Sequence, residues 1–328
     1  MERAAPAFVT GGSGFIGSTL IRRLTEAGRP VRALARSDAA ARKVADSGAE
    51  PVRGDLGDAQ ALRQGAAGCE LAFHAAARLG AWGPWEEFER INVQGTRGAI
   101  EACRAAGVRR FVHVGTEAAV ISGEPLHDAD ESLPLRPDSK AHYCASKAMA
   151  EQVVRDASGD GLETVVVRPR FVWGPGDTTL LPQIAELVRS GRFAWIGGGR
   201  QRTSVTHVDN AIEGLVLAAK HGRPGQAYFV TDGKPVVFRD FMTRLLGTQG
   251  VEAPDRTLPL PLAEATAAAC ETLWRRLPLR GEPPLTRTAV WLSALEVTID
   301  ISKARGELGY EPRVSTEEGL LSLRRQPR

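Results

Sequence analysis

The chain has almost no net charge and no run of five like charges: 42 basic side chains stand against 39 acidic ones, a formal balance of +3 over 328 residues. A nucleic-acid partner needs a basic face, and this balance gives no reason to expect one. No stretch of about 18 apolar residues runs uninterrupted, so no membrane span is expected. The start, Met1-Glu2-Arg3-Ala4-Ala5-Pro6, lacks the basic opening and apolar run of a secretory leader. Cys69, Cys103, Cys144 and Cys270 form no Cys-x-x-Cys pair. They read as reduced thiols of a cytoplasmic protein. His, Cys and carboxylate residues nowhere show metal-ligand spacing, so no metal is expected, and no Gly-x-Ser-x-Gly elbow supports a hydrolase. What remains, 43% hydrophobic and 25% charged, is globular.

Residues 1–170 alternate regularly. Short apolar runs at Ala7–Val9, Val31–Leu34, Leu71–His74, Arg110–Val114 and Thr164–Val167 predict strands. Amphipathic segments at Ile16–Ala27, at Ile91–Ala106 and from Tyr143 past Val154 predict helices between them. This alternation implies an α/β fold with a doubly wound, Rossmann-type parallel sheet. After Pro169 the rhythm breaks. Glycine and proline clusters separate helical segments at Leu180–Ser190, Val208–Lys220 and Phe238–Leu246. Residues 171–328 are therefore read as a smaller C-terminal substrate lobe, with some chain returning to the sheet. Pro259–Pro284 is expected to be a helix of that lobe or a flap.

Thr10-Gly11-Gly12-Ser13-Gly14-Phe15-Ile16-Gly17 follows the first strand and opens the first helix. Gly11 allows the tight turn, Gly14 lets backbone approach a pyrophosphate, and Gly17 lets helix and strand pack closely. Free N–H groups at the helix start, around Phe15 and Ile16, would hold the anion. At the end of the second strand no carboxylate precedes Asp38, whereas Arg36 can meet a 2′-phosphate. NADP(H) is therefore preferred, with NAD(H) allowed.

Tyr143-Cys144-Ala145-Ser146-Lys147 puts a tyrosine and a lysine on one helical face, one turn apart. A nearby ammonium favours the phenolate, which predicts a tyrosine pKa lowered towards neutrality. That suits hydride transfer, in which an alcohol or carbonyl oxygen must lose or gain a proton.

These motifs, with Gly54-Asp55-Leu56, His74-Ala75-Ala76, Asn92-Val93-Gln94-Gly95-Thr96, Arg168-Pro169, Val172–Gly176, Thr206–Asn210 and Leu308–Pro312, resemble the extended short-chain dehydrogenase/reductase family over most of the chain. The resemblance implies that Asp55, with Leu56 beside it, bonds adenine and that Ala75 and Ala76 lie along the cofactor. It gives Asn92 a buried, cofactor-side role and puts Pro169 at the nicotinamide carboxamide. Tyr143 and Lys147 are implied as catalytic and cofactor-side residues. A hydroxyl at the end of the fifth strand should bond the substrate oxygen, and Thr116 matches it. Gly115 departs from the usual Ser-Ser or Ser-Thr, and a one-residue slip would put Glu117 in that place. Thr116 is preferred because a hydroxyl can both donate to substrate and accept from the tyrosine. Family members often dimerise through two helices, here Ile91–Ala106 and Tyr143–Val154.

Sugar-nucleotide members of the family carry an arginine where this chain has Thr203, and the Val208-Asp209-Asn210 run is similar to the 3β-hydroxysteroid dehydrogenase-like branch. Trp82, Trp85, Phe171, Val172 and Trp173 would line an apolar pocket. His74 is expected to satisfy backbone groups, and His142, His207 and Arg170 to be structural or surface residues. The expected activity is reduction or dehydrogenation of a hydrophobic ketone/alcohol pair. The alternatives are an NAD-dependent sugar-nucleotide epimerase or dehydratase, and a non-enzymatic cofactor sensor.

Overall fold

A strand covered on both faces reads as a largely apolar, buried run, and Ala7–Thr10 and Arg110–Val114 are buried at every position. They belong to a seven-stranded sheet in a computed structural model that describes residues 4–277 and 279–325. Met1–Arg3, part of the leader reading, and Pro278, inside the expected flap, lie outside the described residues. The strands are β1 (Ala7–Thr10), β2 (Val31–Ala35), β3 (Glu50–Arg53), β4 (Leu71–His74), β5 (Arg110–Val114), β6 (Glu163–Pro169) and β7 (Ala227–Val230). All pair in parallel, in the order β7-β6-β5-β4-β1-β2-β3.

Successive side chains alternate between the two faces. Val9, Ala33, Phe73, Val112 and Val165 meet helices α1 (Phe15–Glu26), α2 (Asp38–Asp46) and, further along the chain, Val208–His221. Phe8, Leu34, Ala72, Phe111 and Val166 meet α3 (Ala59–Ala66), α4 (Gly95–Ala105) and α5 (His142–Asp156) on the opposite face. The strand order reverses at β1, which lies between β2 and β4. A crevice opens there at the carboxyl ends of the strands.

A second, four-stranded sheet joins Val236–Val237, Arg202–Thr203, Val297–Ile299 and Leu126–Ala129. Around it Trp173, Trp195, Phe238, Phe241 and Met242 form a separate core. The chain crosses between the two sheets in both directions: Leu126–Ala129 pairs with Val297–Ile299, while β7 completes the main sheet. The 259–284 segment contains a helix, Leu260–Arg276, with proline in its first turn. No helix among the described residues is long and apolar enough to cross a membrane.

Candidate active site

The turn after β1 is built around absent side chains. Gly11 has φ +71°, and a Cβ there would lie 2.5 Å from the Ala76 nitrogen. A Cβ on Gly17 would strike the Gly11 carbonyl. Gly14 N–H donates to that carbonyl at 3.0 Å, and no side chain caps α1. The amide donors of Phe15, Ile16 and Gly17 therefore form an uncapped helix start, which suits a pyrophosphate. This cradle fits a dinucleotide.

Behind the turn, His74 bonds two hydroxyls, not the backbone groups expected for it. Its Nδ1 is 2.7 Å from Thr10 Oγ1 and its Nε2 is 3.0 Å from Thr96 Oγ1. Thr96 gives its one proton to the Asn92 carbonyl at 2.6 Å, so Nε2 must donate and Nδ1 accept from Thr10. Burial pushes the His74 pKa down to about 3, and the Lys147 charge adds to the effect. Asn92 sits in a π-helical turn, Glu89–Gln94, leading into α4. Its Oδ1 accepts from Arg78 N–H at 2.7 Å. Its Nδ2 donates to Arg78 O at 3.2 Å and to Ser146 Oγ at 2.9 Å. One side chain thus ties the 75–78 segment, containing Ala75 and Ala76, to α5.

Tyr143 and Lys147 share a face of α5, but not as the spacing predicts. Lys147 Nζ donates to the Val114 carbonyl at 3.0 Å. Burial lowers the lysine pKa to about 8. The Tyr143 pKa is raised, first by burial and then by the Glu117 charge, with a hydrogen bond to Thr116 opposing. The expected lowering by Lys147 is therefore corrected: the ammonium is committed to the end of β5.

Thr116 follows β5 and caps a short turn, Glu117–Val120, on which α5 packs. The Thr116 hydroxyl donates to Glu117 Oε2 at 2.6 Å. Glu117 is 5% exposed. Its Oε1 accepts from Arg170 Nη1 at 2.6 Å. Arg170 also donates to Thr203 Oγ1 at 3.0 Å and to Leu292 O at 3.2 Å. Gly115 has a packing cause: a Cβ there would lie 2.8 Å from Val166 Cγ1. Pro169, buried, ends β6 beside this group.

On the substrate side, Trp82 is half-buried under the Arg275 guanidinium at 5.6 Å. Trp85 meets the His142 ring edge-on, and His142 Nδ1 donates to Gly83 O at 3.2 Å. Phe171, at φ +45°, packs edge-on against Phe238 and Phe241, and half-buried Val172 pairs with Thr206. Trp173 does not line the pocket. It has no exposed surface, packs on His207 and Phe241, and donates to Asp232 Oδ2 at 3.0 Å.

At the adenosine end Arg36 is exposed, and exposed Asp55 accepts from Gly57 N–H at 2.8 Å. Leu56 packs over Gly95. Arg53, which the sequence reading missed, neighbours Arg36: Ala35 pairs with Arg53 across β2 and β3. Arg53 holds Asp38 at 3.2 Å. The signal was a basic residue closing a strand too polar to be recognised. Among the described residues, no three His, Cys, Asp or Glu side chains gather as a metal site.

Residues 8–262 match the family described as the 3-beta hydroxysteroid dehydrogenase/isomerase family. A 4-hydroxy-2-methyl-3-oxo-4-farnesyl-3,4-dihydroquinoline-1-oxide ketoreductase of Stigmatella aurantiaca is 49% identical, over 97% of this chain and 95% of that protein. A 2-alkyl-3-oxoalkanoate reductase of Stenotrophomonas maltophilia is 39% identical, over 96% and 97%. Among solved structures, DesIV, a dTDP-glucose 4,6-dehydratase from Streptomyces venezuelae with NAD and TYD bound, superposes with a TM-score of 0.75. It is 26% identical, over 98% of this chain and 96% of that one.

Proposed function

This chain belongs to the 3-beta hydroxysteroid dehydrogenase/isomerase family, and from that membership we propose that it reduces the ketone of a hydrophobic substrate with NADP(H), Tyr143 supplying the proton. It is an NAD(P)-dependent oxidoreductase. The observation that carries the reading is that α5 brings Tyr143 to the carboxyl edge of β5: Lys147, one turn on, donates to the Val114 carbonyl at 3.0 Å, and the helix packs on the turn that Thr116 caps. When bound, the nicotinamide supplies a hydride to the carbonyl carbon. Tyr143 gives its proton to the oxygen, leaving an alcohol and a phenolate that regains a proton from solvent. Lys147 fixes α5 against β5, and the Asn92 clamp holds the 75–78 segment that flanks the turn.

The substrate class draws support from the relatives, whose names specify a farnesylated quinoline oxide and an alkyl-oxoalkanoate. Trp82, Trp85, Phe171 and Val172 supply apolar surface for such a chain. The sugar-nucleotide alternative is disfavoured by one contact. Thr203, where that branch has an arginine, is buried and accepts from Arg170 Nε. The NADP(H) preference rests on Arg36 and Arg53. We extend the proposal to a cytoplasmic setting, supported by four free cysteines of which three are buried. We extend it also to a homodimer across α4 and α5, whose outer residues Arg97, Glu101, Gln152 and Asp156 are exposed.

The test is a panel of long-chain 3-oxo compounds and sterol ketones with NADPH, together with identification of any nucleotide that co-purifies. NADPH consumption matched by alcohol formation supports the reading. Tightly held NAD with turnover only of sugar nucleotides would replace it.

A further inference from the structure

His74 closes β4, and folding hands each of its ring nitrogens a different hydroxyl. Nδ1 lies 2.7 Å from Thr10 Oγ1, 64 residues back, and Nε2 lies 3.0 Å from Thr96 Oγ1, 22 residues on. The side chain is 1% exposed, and burial keeps the ring neutral. A neutral imidazole has one donor nitrogen and one acceptor. Thr96 gives its proton to the Asn92 carbonyl at 2.6 Å, so Nε2 donates and Nδ1 accepts.

Two arms run from these two bonds. On the Nδ1 side, Thr10 donates to the ring while its oxygen accepts from Ala76 N–H at 3.4 Å. Thr10 directly precedes Gly11, where a Cβ would lie 2.5 Å from the Ala76 nitrogen. This arm sets the glycine turn against the 75–78 segment. On the Nε2 side, Thr96 holds the Asn92 carbonyl, and Asn92 Nδ2 donates to Ser146 Oγ at 2.9 Å. Ser146 Oγ then donates to the Tyr143 carbonyl at 2.9 Å. This arm ends on the backbone of the residue that carries the phenol. From Ala76 to Tyr143 every bond points the same way, an arrangement in which each strengthens the next. We infer that His74 is a positioning residue that sets the dinucleotide turn and the catalytic helix at a fixed separation, its Nδ1 holding the cofactor cradle and its Nε2 the backbone of Tyr143.

Burial alone does not produce such a join. His113, one strand over, is equally buried and stacks on His74 at 5.4 Å, yet neither of its ring nitrogens has a hydrogen-bond partner among the described residues. Phe111 stacks on the His74 ring at 5.7 Å, so its plane is fixed while its edges do the bonding. Lys147 ties α5 to β5. His74 carries the tie on to β1.

The inference rests on the proposed roles of the turn and of Tyr143, and its test separates the two arms. The amide of asparagine reaches the Nδ1 position of a histidine, and that of glutamine reaches the Nε2 position. His74→Gln keeps the Thr96 bond and loses the Thr10 bond. It should weaken NADPH about 3–10-fold, the size of one neutral hydrogen bond, and leave kcat at saturating nucleotide within about twofold. His74→Asn keeps the Thr10 bond and loses the Thr96 bond. It should leave NADPH affinity within about twofold and cut kcat about tenfold or more, because the phenol is displaced. Thr10→Val should repeat the first pattern and Thr96→Val the second, so the test survives if a His74 variant fails to fold. Affinity is read by fluorescence titration without substrate. Amide exchange over residues 145–150, faster in His74→Asn and Thr96→Val alone, reads the second arm without substrate as well. His113→Gln is the packing control and should lower the melting temperature with neither pattern. Equal losses of affinity and kcat in all four arm variants, or the same losses in His113→Gln, would make His74 a packing residue and overturn the inference. Failure of wild type to reduce any ketone, with the affinity and exchange patterns intact, would sink the reductase reading and leave the role of His74 standing.

Discussion

Lys147 Nζ donates to the carbonyl oxygen of Val114 at 3.0 Å, pinning α5 to the end of β5. Burial holds this lysine down at about 8, against 10.5 for the free side chain, with Glu151 opposing. Between those two values the unfolded chain carries a proton that the folded one has released. The contribution of Lys147 to stability therefore rises with pH across that window. Urea unfolding at stepped pH should show this rise in wild type and lose it in Lys147→Met. Parallel curves would contradict it.

The buried His74 gives the opposite end of the pH scale. Its pKa is about 3 when folded and 6.5 when free, and His113, stacked on it at 5.4 Å, is also held down. The unfolded state gains protons first as pH falls, so stability is lost from 6.5 downwards. For His74 alone the limit is about 4–5 kcal/mol. His74→Gln should flatten the acid limb of the unfolding free energy, and an unchanged slope would show that another group governs it.

Asn92 holds both backbone groups of Arg78 and the hydroxyl of Ser146. Asn92→Ala orphans buried partners, at about 1–3 kcal/mol each. The melting temperature should fall, and amide exchange should speed up selectively over residues 75–83. Unchanged exchange there would remove the clamp from the account.

At the adenosine end, Arg36→Asp should weaken NADPH far more than NADH, by about 1.5–3 kcal/mol for one lost charge-assisted contact. Arg53→Ala should act in the same direction but less, because Arg53 already holds Asp38 at 3.2 Å. Equal losses for the two nucleotides, measured by fluorescence titration, would show that neither arginine reads the phosphate.

The first turn, β1, β2, β4, β5 and α1 were legible because local pattern decides them: buried runs, then glycines where a Cβ cannot fit. Strand β3 was not, since of Glu50-Pro51-Val52-Arg53 only Val52 is buried and an edge strand tolerates proline. Leu126–Ala129 was hidden for a different reason: its partner, Val297–Ile299, comes from the far end of the chain. At the site, the positions of Tyr143 and Lys147 followed from helical spacing. Their electrostatics did not. The carbonyl that takes the ammonium lies 33 residues back, and the Glu117–Arg170 pair spans 53. Trp173 was assigned to the pocket because an aromatic after Pro169 says nothing about which way it turns. Its indole N–H found Asp232, just past the end of β7.

The most direct test of the central claim is a paired measurement on Tyr143→Phe: NADPH affinity, and turnover of the best hydrophobic ketone. Loss of the proton donor should leave affinity close to wild type and cut kcat by about 10²–10⁴-fold. Full turnover with unaltered affinity would contradict the account.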